Sequence, residues 1–104
     1  MFSLDDLART IASRAQAGAE KSYTRSLLDK GPRGAAKKFG EEAVEFVIAA
    51  VSESDEALRA EAADVLYHLL VVLEARKISL GDVVGELDRR TTRSGHEEKA
   101  SRAS

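Results

Sequence analysis

An all-α fold, an antiparallel helical hairpin with flanking helices, is predicted by three features of the 104-residue sequence. Ala, Leu, Glu, Lys and Arg dominate and proline occurs once, a composition that favours helices joined by short turns. Apolar residues recur at three- and four-residue spacing in four separate stretches. No stretch alternates as a strand would.

The first helix is predicted from Ser3, with Asp6 at capping-box distance and Leu4, Leu7, Ala8, Ile11, Ala12 and Ala15 on one face, to a break at Gly18. Residues 18–34, with Ser22-Tyr23-Thr24 and Lys30-Gly31-Pro32-Arg33-Gly34, read as loop. A second helix is predicted from Ala35 to Val51, with Phe39, Ala43, Phe46, Val47 and Ala50 as its apolar stripe. Only Ser52-Glu53-Ser54-Asp55 separates it from a third, from Glu56 to about Arg76, so these two must be antiparallel neighbours. Ser79 caps a fourth, carrying Leu80, Val83, Val84 and Leu87, and from about residue 89 the chain reads as a polar tail.

Size and composition narrow the classes of function. The length fits one domain, residues 1–104, whose modest core would gain from association with a second copy. Without cysteine, disulfides and thiolate metal sites are excluded. A net charge of -2 offers no general attraction to nucleic acid or to an anionic membrane. The longest apolar run, Phe46 to Val51, is too short to span a bilayer, and the early acids of the N-terminus do not fit a signal peptide. A cytoplasmic location is the resulting expectation.

The hairpin carries its chemistry in two acidic pairs, Glu42-x-x-Glu45 and Glu61-x-x-Asp64. Residues three apart on a helix are separated by only about 60 degrees of rotation, so each pair shares a face. Counted outward from the turn, Glu45 comes level with Glu61 and Glu42 with Asp64, each to within one residue. Four converging carboxylates repel unless a cation neutralises them, and Mg2+, a hard ion that completes its shell with phosphate oxygens, is the natural candidate. The plain alternative is that these acids form solvated faces paired with Lys37, Lys38 and Arg59. Lys38 and His68 fall one turn beyond the acidic layer and flank the same place, although a histidine beside Tyr67 and Leu69 also fits a structural role. Lys37 and Lys38, with the flexible Gly31 and Gly34 before them, are candidates to hold phosphate oxygens or are surface charge.

The run Lys37-Lys38-Phe39-Gly40-Glu41-Glu42-Ala43-Val44-Glu45, followed by Glu61-Ala62-Ala63-Asp64-Val65-Leu66-Tyr67-His68-Leu69-Leu70, resembles the phosphoribosyl-ATP pyrophosphatases. These look like a branch of the all-helical MazG-like nucleotide pyrophosphohydrolases. Ser22-Tyr23-Thr24, the Tyr67-His68 dipeptide and the tail Arg93 to Arg102 favour the narrower family. Phe39 departs from it where a smaller aliphatic residue is expected, as does Gly34-Ala35-Ala36 before the lysine pair.

The resemblance implies hydrolysis of phosphoribosyl-ATP to phosphoribosyl-AMP and pyrophosphate, the second step of histidine biosynthesis, with Mg2+ as cofactor. Glu42, Glu45, Glu61 and Asp64 would then be the metal ligands, and Glu41 either a base or a group behind the ligands. Lys38 and His68 would flank the reaction, and Tyr23, Thr24, Lys37, Lys38, Lys99 and Arg102 would contact substrate. It also implies a homodimer or a larger even assembly, with sites completed by the partner. Two rivals stay open. One is a general pyrophosphohydrolase of non-canonical nucleoside triphosphates, and the other is a non-catalytic helical dimerisation module.

Overall fold

The computed structural model describes residues 1–16 and 22–92, and among these are five helices and no strand. They are α1 (Leu4–Arg14), α2 (Tyr23–Asp29), α3 (Gly31–Ser52), α4 (Asp55–Ala75) and α5 (Leu80–Thr91). The all-α expectation holds, and the hairpin is α3 and α4.

The N-terminal cap of α1 forms as the spacing predicted. Ser3 Oγ accepts from the Asp6 amide at 3.1 Å, and Asp6 Oδ2 accepts from the Ser3 amide at 3.0 Å. That backbone hydrogen bond is the main reason the Asp6 carboxyl sits below its ordinary value. The helix ends at Arg14, short of the predicted Gly18, and residues 17–21 lie outside the described residues.

The predicted loop over 18–34 is corrected by α2 and by the first turn of α3. Ser22 Oγ caps α2 by accepting from the Arg25 amide at 3.1 Å, and burial of Thr24 and Leu27 holds this seven-residue helix against its neighbours. Gly31, at φ 75°, takes the left-handed conformation that turns the chain sharply between α2 and α3. Pro32 stands in the first turn of α3, where its missing N–H costs nothing. Gly34 admits no side chain without displacement, since a Cβ there would lie 2.4 Å from Lys30 Cβ. Gly and Pro punctuate a helix start here, not a loop.

Only Glu53 and Ser54 separate α3 from α4, fewer residues than predicted, and Ser54 Oγ caps α4 by accepting from the Ala57 amide at 3.2 Å. The core lies at the far end of this hairpin. Ile11, Leu27, Ala35, Leu70 and Val71 are buried together where α1 and α2 pack on the start of α3 and the second half of α4. The stripe predicted for the second helix is therefore corrected too. Ala35, Glu42 and Ala49 are its buried positions, Phe39, Ala43 and Phe46 are half-buried, and Val47 and Ala50 are exposed.

A Schellman turn ends α4, with the Ile78 amide donating to Leu73 O at 2.9 Å and the Lys77 amide to Glu74 O at 3.0 Å. Lys77 occupies the left-handed position at φ 59°. Ser79 caps α5 as predicted, its Oγ accepting from the Asp82 amide at 3.0 Å. α5 runs to Thr91, past the predicted tail boundary near residue 89, because Arg89 and Arg90 reach back one turn to Glu86 and suit the negative end of the helix dipole. The hydrogen bond from Arg89 is the largest of the causes that lower the Glu86 carboxyl to about 2. Among the described residues, no helix is long and apolar enough to cross a membrane.

Two substitutions test this packing. Ile11→Ala removes a side chain from a position 1% exposed and should cost about 2–4 kcal/mol in a urea titration. Lys77→Gly relieves a left-handed backbone and should raise stability by about 0.5–1 kcal/mol, against the loss of an exposed ion pair to Glu74.

Candidate acidic site

Glu42, Glu45 and Glu61 each place one carboxylate oxygen within 4.8 Å of the others'. The short turn sets α4 beside α3 in the register that brings Glu61 to the Glu42–Glu45 face, as the count from the turn predicted. Asp64 stands one turn further along α4, exposed and outside this trio. It still acts on Glu61 electrostatically.

The three acids occupy different environments. Glu42 is buried, which opposes its ionisation, but hydrogen bonds from Lys38 and with Glu45 outweigh that and hold its carboxyl below the ordinary value. Glu45 is exposed, and its hydrogen bond to Glu42 together with the repulsion from that charge pushes its carboxyl up. Burial also pushes Glu61 up, with Asp64, Glu42 and Glu53 adding like charge. Glu53, in the hairpin turn, was not singled out from the sequence, and its position two residues past the last helical apolar residue was the only signal.

Lys38 is the cation of the site. Its Nζ lies 3.2 Å from Glu42 Oε1 and 3.8 Å from Glu41 Oε1, and its pKa rises, chiefly through the hydrogen bond to Glu42. Glu41 and Lys37 are exposed on α3 beside it. His68 is buried on α4, where Nδ1–H donates to the Asp64 carbonyl at 2.7 Å. A carbonyl can only accept, so Nδ1 carries the proton, and Nε2 shares a hydrogen bond with the Tyr23 hydroxyl at 3.4 Å. Thr24, expected at the substrate, is turned inward at 1% exposure and shares a hydrogen bond with the Tyr67 hydroxyl at 2.5 Å. Tyr67 is thus a site neighbour that sequence reasoning treated only as part of a dipeptide. Lys99 and Arg102 lie outside the described residues.

The donor set fits a hard divalent cation. All three candidate donors are carboxylates, and Glu61 Oε2 is buried without a hydrogen-bond partner among the described residues. An orphaned buried carboxylate oxygen is costly unless a cation or proton meets it.

The sequence profile of the family described as phosphoribosyl-ATP pyrophosphohydrolase matches residues 4–91. Similar curated proteins carry the same kind of name. Phosphoribosyl-ATP pyrophosphatase 1 of Bradyrhizobium diazoefficiens is 61% identical over 101 residues, covering 97% of this chain and 95% of that protein. The phosphoribosyl-ATP pyrophosphatase of Azorhizobium caulinodans is 58% identical over 100 residues, 96% of this chain and 92% of the relative. That of Paracoccus denitrificans is 60% identical over 99 residues, 95% and 92% respectively.

The electrostatics predict a specific pH response without metal. Glu45 and Glu61 titrate above their ordinary 4.5 in the fold, so between that value and their raised ones the native chain binds protons that the unfolded chain releases. Stability should fall as pH rises through this window. Glu42 acts oppositely, its contribution being lost as pH falls from 4.5 through its lowered value. In chelator, Glu61→Gln should therefore flatten the decline above pH 4.5 and raise the melting temperature at pH 7, as scanning calorimetry would read.

Proposed function

The chain belongs to the phosphoribosyl-ATP pyrophosphohydrolase family, and on that premise we propose that it hydrolyses phosphoribosyl-ATP to phosphoribosyl-AMP and pyrophosphate. This is the second step of histidine biosynthesis, and a cytoplasmic location accords with it. The observation that supports the reading best is the carboxylate trio with its unpartnered Glu61 oxygen. Carboxylates repel a polyphosphate, and a cation between the acids and the substrate would remove that repulsion.

Glu42, Glu45 and Glu61 would hold Mg2+, with Asp64 one turn along α4 as the fourth candidate ligand. Bound there, magnesium supplies Lewis-acid neutralisation of the polyphosphate oxygens. In the reaction water oxygen bonds to the α phosphorus as the bond to the bridging oxygen of the leaving pyrophosphate breaks. Lys38 keeps Glu42 ionised and presents its remaining N–H donors to phosphate, with Lys37 beside it. Glu41, exposed on the adjoining face, is the candidate to take the proton from water at a carboxylate oxygen. Lys99 and Arg102 remain candidates for substrate contact. Thr24 acts through Tyr67 instead, since its hydroxyl is engaged inside the fold.

A homodimer or larger even assembly forms part of this reading. Val44, Val47, Ile48 and Val51 follow helical spacing along α3 and are all exposed, Val51 at 81%. Such a stripe is unfavourable in water and is covered economically by a second copy. It begins next to Glu45, so a partner there would border the acids.

Three measurements test the proposal. Pyrophosphate release should require Mg2+ and should be much faster from phosphoribosyl-ATP than from ATP or deoxynucleotides; equal rates would favour a general triphosphate pyrophosphohydrolase. Glu45→Gln and Asp64→Asn should each lower turnover by at least about a hundredfold with helical content intact. Light scattering coupled to gel filtration should find a dimer, and Val47→Arg should shift it to monomer.

A further inference from the structure

We infer that the exposed ring of Tyr23 is a stacking platform for the purine of the bound nucleotide, and that Tyr67 and His68 are the positioning residues that hold it. The inference deepens the nucleotide reading above and rests on it. Tyr23 opens α2 and is 56% exposed, yet its ring is fixed on several sides. One face stacks on Tyr67, with centroids 6.2 Å apart and planes 15° from parallel, and His68 meets it edge-on at 81°.

Its supports are themselves locked. His68 is fixed by the Asp64 carbonyl and packs edge-on against Tyr67 at 5.0 Å, while Tyr67 is held by the buried Thr24 hydroxyl. The Tyr23 hydroxyl is committed to His68, so its recognition surface toward a ligand is the open ring face. A π face offers a stacking surface that suits a planar base far better than a charged phosphate. Tyr23 is also joined to the acidic layer through His68, whose other ring nitrogen meets the Asp64 carbonyl one turn from Glu61. A nucleotide with its phosphates at the trio and Lys38 would thus extend its base toward the Tyr23 face.

Kinetics and spectroscopy test this together. Tyr23→Leu should raise KM for phosphoribosyl-ATP roughly five- to a hundredfold, the range that loss of one base stack gives, with kcat changed less than about threefold. Inhibition by inorganic pyrophosphate, which has no base, should be unaffected. Tyr23→Phe keeps the face and should shift KM by less than about threefold. A loss as large as that of Tyr23→Leu would assign binding to the hydroxyl and overturn the inference, as would an unchanged KM in Tyr23→Leu. Tyr67→Phe should raise KM by a smaller factor through a looser Tyr23. It also leaves Tyr23 the sole tyrosine of a chain with two and no tryptophan. Its ring-proton resonances should then move upfield on titration with AMP and stay put with ribose 5-phosphate; no shift with AMP overturns the inference. This arm needs no turnover, so failure of hydrolysis and failure of stacking are read separately.

Discussion

Repulsion among Glu42, Glu45 and Glu61 is the interaction on which the rest of the molecule depends. Three carboxylates with oxygens within 4.8 Å of one another would separate in water, and the hairpin keeps them together. The restraint is mechanical. A turn of only Glu53 and Ser54 leaves α3 and α4 no freedom to slide, and the core at the opposite end fixes their spacing. Lys38 offsets part of the repulsion from within α3, and a divalent cation would offset the remainder.

Folding stability and binding capacity are therefore set against one another at this place. Glu42 is satisfied internally by Lys38, whereas Glu61 has a buried oxygen with no partner among the described residues. The fold thus carries an uncompensated interaction that a cation or a proton would relieve, a common arrangement where a protein must bind strongly charged groups. Stability from Ile11, Leu27, Leu70 and Val71 lies at one end of the rod, remote from the turn, so the acids can be strained without loosening the core.

The same division explains α2 and the open face of α3. α2 is seven residues long and depends on its seat, the buried Thr24 and Leu27 on one side and the Tyr23, Tyr67 and His68 cluster on the other. Its seat ties the core to the acidic layer through His68 and the Asp64 carbonyl. Beyond that layer, Val44, Val47, Ile48 and Val51 are exposed among the described residues. A hairpin with a small core at one end leaves such a face to a neighbour.

Helical periodicity, caps and the acid count were legible in the sequence because each is local. Ser3 and Ser79 mark helix starts by hydrogen bonds to amides three residues on, and a short turn makes register a matter of counting. That count brought Glu42, Glu45, Glu61 and Asp64 together, the first three of which are grouped, and the family resemblance rested on the same contiguous residues. What sequence could not decide depended on burial by distant residues. Gly31 and Pro32 support either a loop or a sharp helix start, and the choice falls to helix because Thr24, Leu27 and Ala35 find buried places on either side. Thr24 illustrates the same limit: spacing puts a residue on a face, but only packing across forty residues of chain turns Thr24 inward to Tyr67.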